Sequence, residues 1–311
     1  MMTSTHLRYF LAVAEHLRFR RAAEALHVSQ PALSKSIQRL EDLVGAKLFE
    51  RSRQGLAITP AGEILMIHAK LVTTQLSRAH EEIMELQAAV TGQIVVGAGP
   101  SVQDHVLPQA ISSLRLRRPN VRIKIVAGHN DVLMPAVQRG DLDMVVGALT
   151  PHIKDARLTH EILYHDHLAV TARASHPVAR SGTASLESLL GESWVLSPET
   201  IQARQWFDAV FRSRGLACIT PLLEVNSIPI IKAMLLSEDI LGFVPRQLYR
   251  DEERQGLLKT IPVDELLMWR PVGVSFRANG HLPALAHALI DALRSTCAAM
   301  PPAPSAAVTS S

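Results

Sequence analysis

Residues 19–41 read FRRAAEALHVSQPALSKSIQRLE, and this stretch decides how the first part of the chain folds. Its spacing is typical of two short helices joined by a tight turn, with Ala22 and Leu26 on one face of the first helix. Ser29 has the position of an N-cap, and Pro31 stands near the start of the second helix, where its missing N–H is tolerated. The pattern predicts a helix-turn-helix, whose second helix enters the major groove of DNA.

The second helix separates an inner from an outer face. Leu33, Ile37 and Leu40 repeat at spacings of four and three and are predicted to face the core. Glutamine and serine can read base edges, alanine can contact a thymine methyl, and lysine or arginine can reach guanine or phosphate. Such residues are left on the outer face: Gln30, Ala32, Ser34, Lys35, Ser36 and Arg39. The alternative is the solvated face of an ordinary helical bundle.

The residue identities favour the DNA-binding alternative, because they match a family pattern. The stretch resembles the N-terminal domain of LysR-type transcriptional regulators over roughly the first sixty residues, without gaps. The matching residues are Ala22-Ala23-x-x-Leu26-x-x-Ser29-Gln30-Pro31-Ala32-Leu33-Ser34, Leu40-Glu41, Gly45, Leu48-Phe49-x-Arg51 and Thr59-Pro60-Ala61-Gly62. The chain departs from the family at Arg20, where a small hydroxyl residue is common, and at Leu17-Arg18, where Gly-Ser is common.

A hairpin wing is predicted after the helix pair. Residues 47–51 and 56–59 read as two short strands around a turn. Arg51 and Arg53 would reach the sugar-phosphate backbone or the minor groove; the alternative is that they are solvated turn charges. Residue types and resemblance together give the expected DNA-binding set: Arg18, Arg20, Arg21, Ser29, Gln30, Pro31, Ala32, Ser34, Lys35, Arg39, Arg51 and Arg53.

Charge and length agree with a DNA-binding head on a larger body. Residues 1–62 hold nine basic and five acidic residues, whereas the rest of the chain holds 23 basic and 24 acidic residues. A basic module on a near-neutral body is typical of a nucleic-acid-binding regulator. A chain of 311 residues is long enough for two or three domains. We find no signal peptide, no membrane-length apolar run and only two isolated cysteines, so we expect a cytoplasmic protein.

A long helix is predicted to follow the wing. From Pro60 to about Val90 apolar residues alternate at spacings of four and three, which indicates a heptad seam. The seam consists of Leu65, Ala69, Val72, Leu76, Ala79, Ile83, Leu86 and Val90. One alternative is a helix lying on a domain core, but its other faces are polar. We therefore predict a linker, residues 63–91, that pairs with its copy in a second subunit, as the resemblance also implies.

The remainder, residues 92–300, alternates strands and helices, which predicts an α/β domain with a parallel sheet. It resembles the effector domain of the same family, which has the two-lobed fold of periplasmic binding proteins. We place the first lobe at 93–162 and 269–296 and the second at 163–268. The whole chain is thus predicted to be a winged helix-turn-helix domain (1–62), a linker helix and an α/β effector domain. A disordered tail is expected at 301–311.

A ligand site is predicted from the ends of the strands. Ligands of open α/β sheets bind beyond the carboxyl ends of strands, near helix N-termini. The candidates are Ser101, Val102, Gly128, Gly147, Ala148, Ser197, Glu199, Asn226 and Ser227. Ser101 and Ser227 also match positions at which family members bind effectors. Free N–H groups at helix starts favour an anionic or polyhydroxylated effector, and helix capping is the alternative role of each serine.

We find no motif for catalysis, for a metal or for a cofactor. Gly97-Ala98-Gly99 lacks the third glycine of a dinucleotide fingerprint, and His165-Asp166-His167 has no third ligand near it in sequence. We therefore expect a non-enzymatic regulator with promoter DNA, a small effector and a second copy of itself as partners, in a dimer or tetramer. RNA polymerase stays open as a partner, and no membrane partner is expected. The alternative function is an α/β small-molecule-binding or enzymatic protein with an accessory N-terminal helical domain.

Overall fold

The described part of the chain forms two units. The computed structural model describes residues 2–52, 55–87, 93–149, 156–278, 280, 282–298 and 300. The first unit comprises residues 1–92 with 138–142, and the second lies within residues 93–137 and 143–311. No helix among the described residues is both long and apolar enough to span a bilayer. The predicted tail, 301–311, lies outside the described residues.

The first unit is a winged helix-turn-helix, as predicted. Its elements are α1 (Ser4–His16), α2 (Phe19–Ala25), α3 (Gln30–Val44), β1 (Phe49–Ser52), β2 (Gly55–Ile58) and α4 (Pro60–Gln87). The Ser29 hydroxyl accepts a hydrogen bond from the Ala32 N–H at 3.4 Å, which confirms the predicted N-cap of α3. Phe10, Leu33 and Leu40 are fully buried and hold the three helices together. Strands β1 and β2 pair antiparallel to form the wing.

Leu17 and Arg18, which depart from the family pattern, connect α1 to α2. Leu17 ends α1 with φ of +47°, a left-handed conformation that glycine adopts with less strain. Arg18 is the N-cap of α2, and its side chain makes no capping hydrogen bond. The short helix α2 is therefore held by packing of its buried Ala22 and Ala23 rather than by a hydroxyl cap.

Helix α4 divides along its length. Leu65, Met66 and Ala69 pack into the core of the first unit. Farther along the same predicted seam, Val72, Leu76 and Ile83 are exposed apolar side chains. Among the seam residues whose side chains are described, burial is therefore confined to the beginning of α4. The side chain of Leu86 is outside the description, as is Val90 altogether.

The second unit contains one mixed sheet. Its strands are β3 (Gln93–Ala98), β4 (Arg122–Ala127), β5 (Met144–Ala148), β6 (Leu158–Arg173), β7 (Trp194–Leu196), β8 (Leu223–Glu224), β9 (Leu241–Pro245), β10 (Leu258–Ile261) and β11 (Met268–Arg277). The helices are α5 (Pro100–Gln103), α6 (Val106–Arg117), α7 (Asn130–Arg139), α8 (Pro177–Ser181), α9 (Leu186–Leu189), α10 (Gln202–Ser213), α11 (Ile228–Ser237), α12 (Arg250–Arg254) and α13 (Ala284–Cys297).

The strand order is β4-β3-β5-β11-β6-β9-β7-β8, with β10 paired to β6. Strands β4, β3 and β5 are parallel, and so are β9, β7 and β8. The prediction of a parallel sheet was wrong for the middle of the sheet, where β11 and β6 run antiparallel to each other and to their outer neighbours. The reason is that these two long strands serve both lobes instead of closing a strand-helix-strand unit.

Each lobe has its own core. In the first lobe α6 and α13 pack on β3 and β5. Val96, Leu289 and Leu293 are fully buried in this core. In the second lobe the core surrounds Trp194 and Phe207, whose rings lie 5.2 Å apart. Strands β6 and β11 contribute side chains to both cores, so the lobes meet along these strands.

Candidate nucleic-acid interface and ligand site

The first half of α3 presents the residue types that read DNA. Ser29 caps the helix, and Gln30, Pro31, Ala32, Lys35 and Arg39 follow as exposed residues, with Ser34 half-buried. The side chains of Gln30 and Lys35 do not pack in the core, because Leu33, Ile37 and Leu40 form the buried face of α3. The side chains on the outer face are therefore free to contact base edges.

Basic residues flank this helix. Arg18, Arg20 and Arg21 are exposed at the start of α2. Arg20 is paired with Glu24 at 3.1 Å, and both side chains are mostly exposed, so water and salt screen the pair. Such a pair can open at little cost when a phosphate approaches. Arg51 lies in β1 with its side chain outside the description, and Arg53 is not among the described residues.

Glu41 connects the end of α3 to the wing. Its carboxylate accepts hydrogen bonds from the backbone N–H groups of Leu48 at 2.9 Å and Phe49 at 3.4 Å, and from Lys47 Nζ at 2.7 Å. Burial raises the pKa of Glu41, but these hydrogen bonds outweigh burial and leave the pKa below its usual value. Because β1 begins at Phe49, the carboxylate fixes the wing relative to the recognition helix.

Ser101 lies at the carboxyl end of β3, in the short helix α5. The backbone comes close to β5 here, since a Cβ added at Gly99 would lie 3.1 Å from the Cα of Gly147. Ser101 is buried, and its hydroxyl accepts a hydrogen bond from Arg270 Nη2. The Tyr164 hydroxyl donates to the Ser101 carbonyl at 3.2 Å. Both groups of Ser101 are thus held by strands β6 and β11.

Asp166 and Arg270 face each other across β6 and β11. They are register partners, yet Arg270 Nη2 and Asp166 Oδ2 are 3.9 Å apart, beyond a hydrogen bond. Asp166 Oδ1 accepts from the His167 N–H at 2.9 Å. Asp166 Oδ2 and Arg270 Nε are both buried without a hydrogen-bond partner among the described residues. Burial raises the pKa of Asp166 to about 6, although Arg270, the His167 N–H and the Ser101 hydroxyl oppose the shift.

Two contacts join the lobes in this part of the second unit. The His129 imidazole, in the first lobe, is hydrogen-bonded to the backbone of Asn226, in the second. Burial lowers the pKa of His129, and a charge on Arg270 lowers it further. Lys232 Nζ bridges the lobes, at 3.1 Å from Asp104 Oδ2 and 3.0 Å from Glu252 Oε1. We call this region, defined by Ser101, His129, Asp166, Asn226 and Arg270, the lobe junction.

The other predicted ligand residues are distributed more widely. Val102 is fully buried in the first core, the Gly128 N–H donates to the Ala98 carbonyl, and the Ala148 carbonyl accepts from Asn130 Nδ2 at 2.8 Å. Gly147 is buried beside Gly99, and Ser227 stands at the start of α11 without making a side-chain cap. The Ser197 carbonyl accepts from the buried Arg204 at 3.3 Å, and Glu199 is exposed. No described contact joins Ser197 or Glu199 to Ser101.

Three residues of the lobe junction, His129, Asp166 and Arg270, were not predicted from the sequence, and neither was Tyr164, which holds Ser101. Asp166 was considered only with His165 and His167 as a metal motif. Within the described part of the chain, no three potential metal ligands cluster. The sequence does contain a signal for this pair. Asp166 and Arg270 are single charged residues next to apolar strand residues, and a charge buried in a strand requires a partner.

Family models match nearly the whole chain. Residues 4–63 match the model of the bacterial regulatory helix-turn-helix protein of the lysR family, and residues 87–298 match the LysR substrate binding domain. The transcriptional regulator PcaQ of Agrobacterium fabrum is 31% identical over 274 residues, with 88% of each chain covered. The regulator YdcI of Escherichia coli K12 is 29% identical over 289 residues, covering 93% of this chain and 94% of its own.

Solved structures of full-length proteins show the same architecture. A full-length OxyR variant from Pseudomonas aeruginosa, in which one cysteine is replaced by aspartate, superimposes with a TM-score of 0.68 at 27% identity, covering 94% of this chain and 95% of its own. CbnR, described as a LysR family transcriptional regulator, gives a TM-score of 0.65 at 19% identity, covering 95% of this chain and 99% of its own. At that identity the second likeness concerns the fold alone. CbnR has also been solved in complex with its target DNA.

Proposed function

The chain belongs to the LysR family of DNA-binding transcriptional regulators, and we propose that it binds promoter DNA through α3 and the wing under control of a small effector held at the lobe junction. The observation that carries the DNA-binding half is the exposed row of Gln30, Ala32, Lys35 and Arg39 on a helix whose opposite face is core. Bases would be read by Gln30, Ser34 and Lys35, while arginines hold the phosphates.

The exposed seam of α4 supports a second copy as partner. Val72, Leu76 and Ile83 are large apolar side chains left open in the single chain, and pairing with an identical helix would bury them. A dimer, alone or within a tetramer, places two heads on two half-sites. This assembly would act in the cytoplasm, where promoter DNA is found, and we assign no chemical reaction to it.

The effector half is supported by the lobe junction. Ser101 and Asn226, two residues predicted from strand ends, lie there with the buried Asp166 and the half-buried Arg270. Each lobe contributes polar groups, so a bound molecule would favour one arrangement of the lobes over others. The rival function, an α/β binding or enzymatic protein with an accessory head, has no separate observation in its favour.

The DNA-binding half is tested by substitution in α3. A high-affinity duplex is first selected from randomised DNA with the full-length protein, and affinity is then measured at several salt concentrations. Gln30→Ala should weaken binding to the selected duplex by about 1–3 kcal/mol while leaving random DNA almost unaffected. Gln38→Ala, the same change two turns later in α3, is the matched control and should bind normally. Equal weakening on selected and random DNA would show that Gln30 does not read bases.

A further inference from the structure

The lobe junction contains one donor and one acceptor that lack partners. Asp166 Oδ2 can only accept a hydrogen bond when ionised, and Arg270 Nε–H can only donate one. Both atoms are buried without a hydrogen-bond partner among the described residues, and the Asp166 side chain is 2% exposed. The 3.9 Å between Arg270 Nη2 and Asp166 Oδ2 is also too long for a hydrogen bond. A buried polar group left without a partner is unfavourable, so these two atoms indicate what a bound molecule supplies.

A hydroxyl group meets both requirements at once. It can donate its hydrogen to Asp166 and accept a hydrogen bond from Arg270 with its oxygen. A carboxylate or a phosphate oxygen, in contrast, only accepts, and would leave Asp166 unpaired beside another negative charge. The chemistry of the pair therefore distinguishes between the two effector classes that strand ends alone leave open.

The charge balance of the junction points the same way. Three cations at or between the two lobes are each near a carboxylate: Lys232 with Asp104 at 3.1 Å, Arg246 with Glu253 at 2.9 Å and Arg270 with Asp166 at 3.9 Å. Burial lowers the pKa of His129 and of His167, which favours the neutral form of both imidazoles. An anionic effector would have to displace a carboxylate from its cation, whereas a neutral molecule would not.

We propose that Asp166 and Arg270 form a clamp for a hydroxyl group, and that the effector of this chain is an uncharged molecule of the polyol or sugar class. This inference rests on the proposed function, in which the lobe junction holds the effector. The Ser101 hydroxyl accepts from Arg270 and also interacts with the Asp166 carboxylate, and the His167 N–H donates to Asp166 Oδ1. The free Oδ2 and Nε are thereby left for the ligand.

The test uses the full-length protein and two small probes, one that carries only hydroxyl groups and one that carries only a carboxylate. Arginine Nε–Hε signals are recorded by NMR on deuterated, 15N-labelled protein at pH 7.5, and Arg270→Lys identifies the Arg270 signal. Glycerol and sodium acetate are then titrated separately at constant ionic strength. Glycerol should shift the Arg270 signal saturably, and acetate should leave it in place. Asp166→Asn should weaken the glycerol effect about tenfold or more, because a hydrogen bond to a charged group is lost.

A matched variant and two contrary outcomes make the test decisive. Arg294→Gln removes an exposed bidentate ion pair with Glu161 on the same strand β6 and should leave the glycerol titration unchanged. A saturable shift with acetate and none with glycerol would overturn the hydroxyl clamp but keep the junction as a ligand site. No shift with either probe would overturn both the clamp and the placement of the effector, and would mean that the pair binds only water.

Discussion

Replacing Asp166 by asparagine should stabilise the second unit at neutral pH, although it removes a charge that faces an arginine. Burial raises the pKa of this carboxyl from 3.8 to about 6 even with Arg270 nearby. A pKa difference of about two between the folded and unfolded chain corresponds to roughly 3 kcal/mol, since each tenfold change in acidity is about 1.36 kcal/mol. Asparagine imitates the neutral carboxyl in shape and polarity. We therefore expect Asp166→Asn to raise the free energy of unfolding by about 1–3 kcal/mol at pH 7.5.

The stabilisation by Asp166→Asn should depend on pH. Because the pKa of Asp166 is higher in the folded state, the folded chain holds the proton more tightly than the unfolded chain does. The stabilising contribution is complete below about pH 4 and is lost as the pH rises through about 6. The advantage of Asp166→Asn should accordingly be largest at about pH 7.5 and shrink toward zero near about pH 4.

Urea unfolding followed by tryptophan fluorescence measures this effect selectively, since Trp194, Trp206 and Trp269 are the only tryptophans and all lie in the second unit. Asp208→Asn is the contrasting variant. Asp208 is also buried, but it accepts two hydrogen bonds from Arg204 at 2.9 Å, so its replacement should destabilise by about 3 kcal/mol. A stability gain for Asp166→Asn that is equal at all pH values, or a loss at pH 7.5, would refute the reasoning.

Two further predictions concern the first unit and the seam. Leu76→Lys should dissociate the dimer in sedimentation experiments, because it places a charge in a buried seam, whereas Ser77→Lys on an exposed neighbouring position should not; an intact Leu76→Lys dimer would exclude the seam. Glu41→Gln should weaken DNA binding on selected and random duplexes alike and lower stability by about 1–2 kcal/mol, since the N–H groups of Leu48 and Phe49 lose a charged acceptor. Because the pKa of Glu41 is lowered on folding, its contribution is present at neutral pH and disappears on acidification below its usual range, so the variant and the parent chain should converge there.

The first unit could be predicted closely because its signals are local. Ser29, Pro31 and the repeat of Leu33, Ile37 and Leu40 lie within twelve residues, and capping and burial act at that range. The helix α3 begins at Gln30, one residue after its predicted cap. The direct role of Glu41 in holding the wing was not predicted, since its partners Leu48 and Phe49 offer only backbone groups, which the residue types do not reveal.

The second unit was harder to predict because its central strands depend on distant pairing. Strand β6 covers Leu158–Arg173, but only its apolar part at 168–171 was predicted. Several earlier residues of β6, including Thr159 and Glu161, are polar, and this part of the strand is held by pairing with β11, about a hundred residues later. The same distance separates Asp166 from Arg270. Strand-end reasoning could place Ser101, but the register that supplies its partner Arg270 comes only from the folded sheet.

The position of this charged pair has a consequence for regulation. Strand β6 enters the first core with Tyr164 and the second with Leu168, and Asp166 lies between these two residues. Arg270 similarly lies between Met268, which packs on the second core, and Val272 in the first. A ligand held by Asp166 and Arg270 would therefore bind where both strands pass from one lobe to the other. Only a difference in affinity between two lobe arrangements can shift their populations. Hydrogen bonds from a ligand to Asp166 Oδ2 and Arg270 Nε, the two atoms without a described partner at this crossing, can supply a difference of about 1–3 kcal/mol, the usual size of such a coupling.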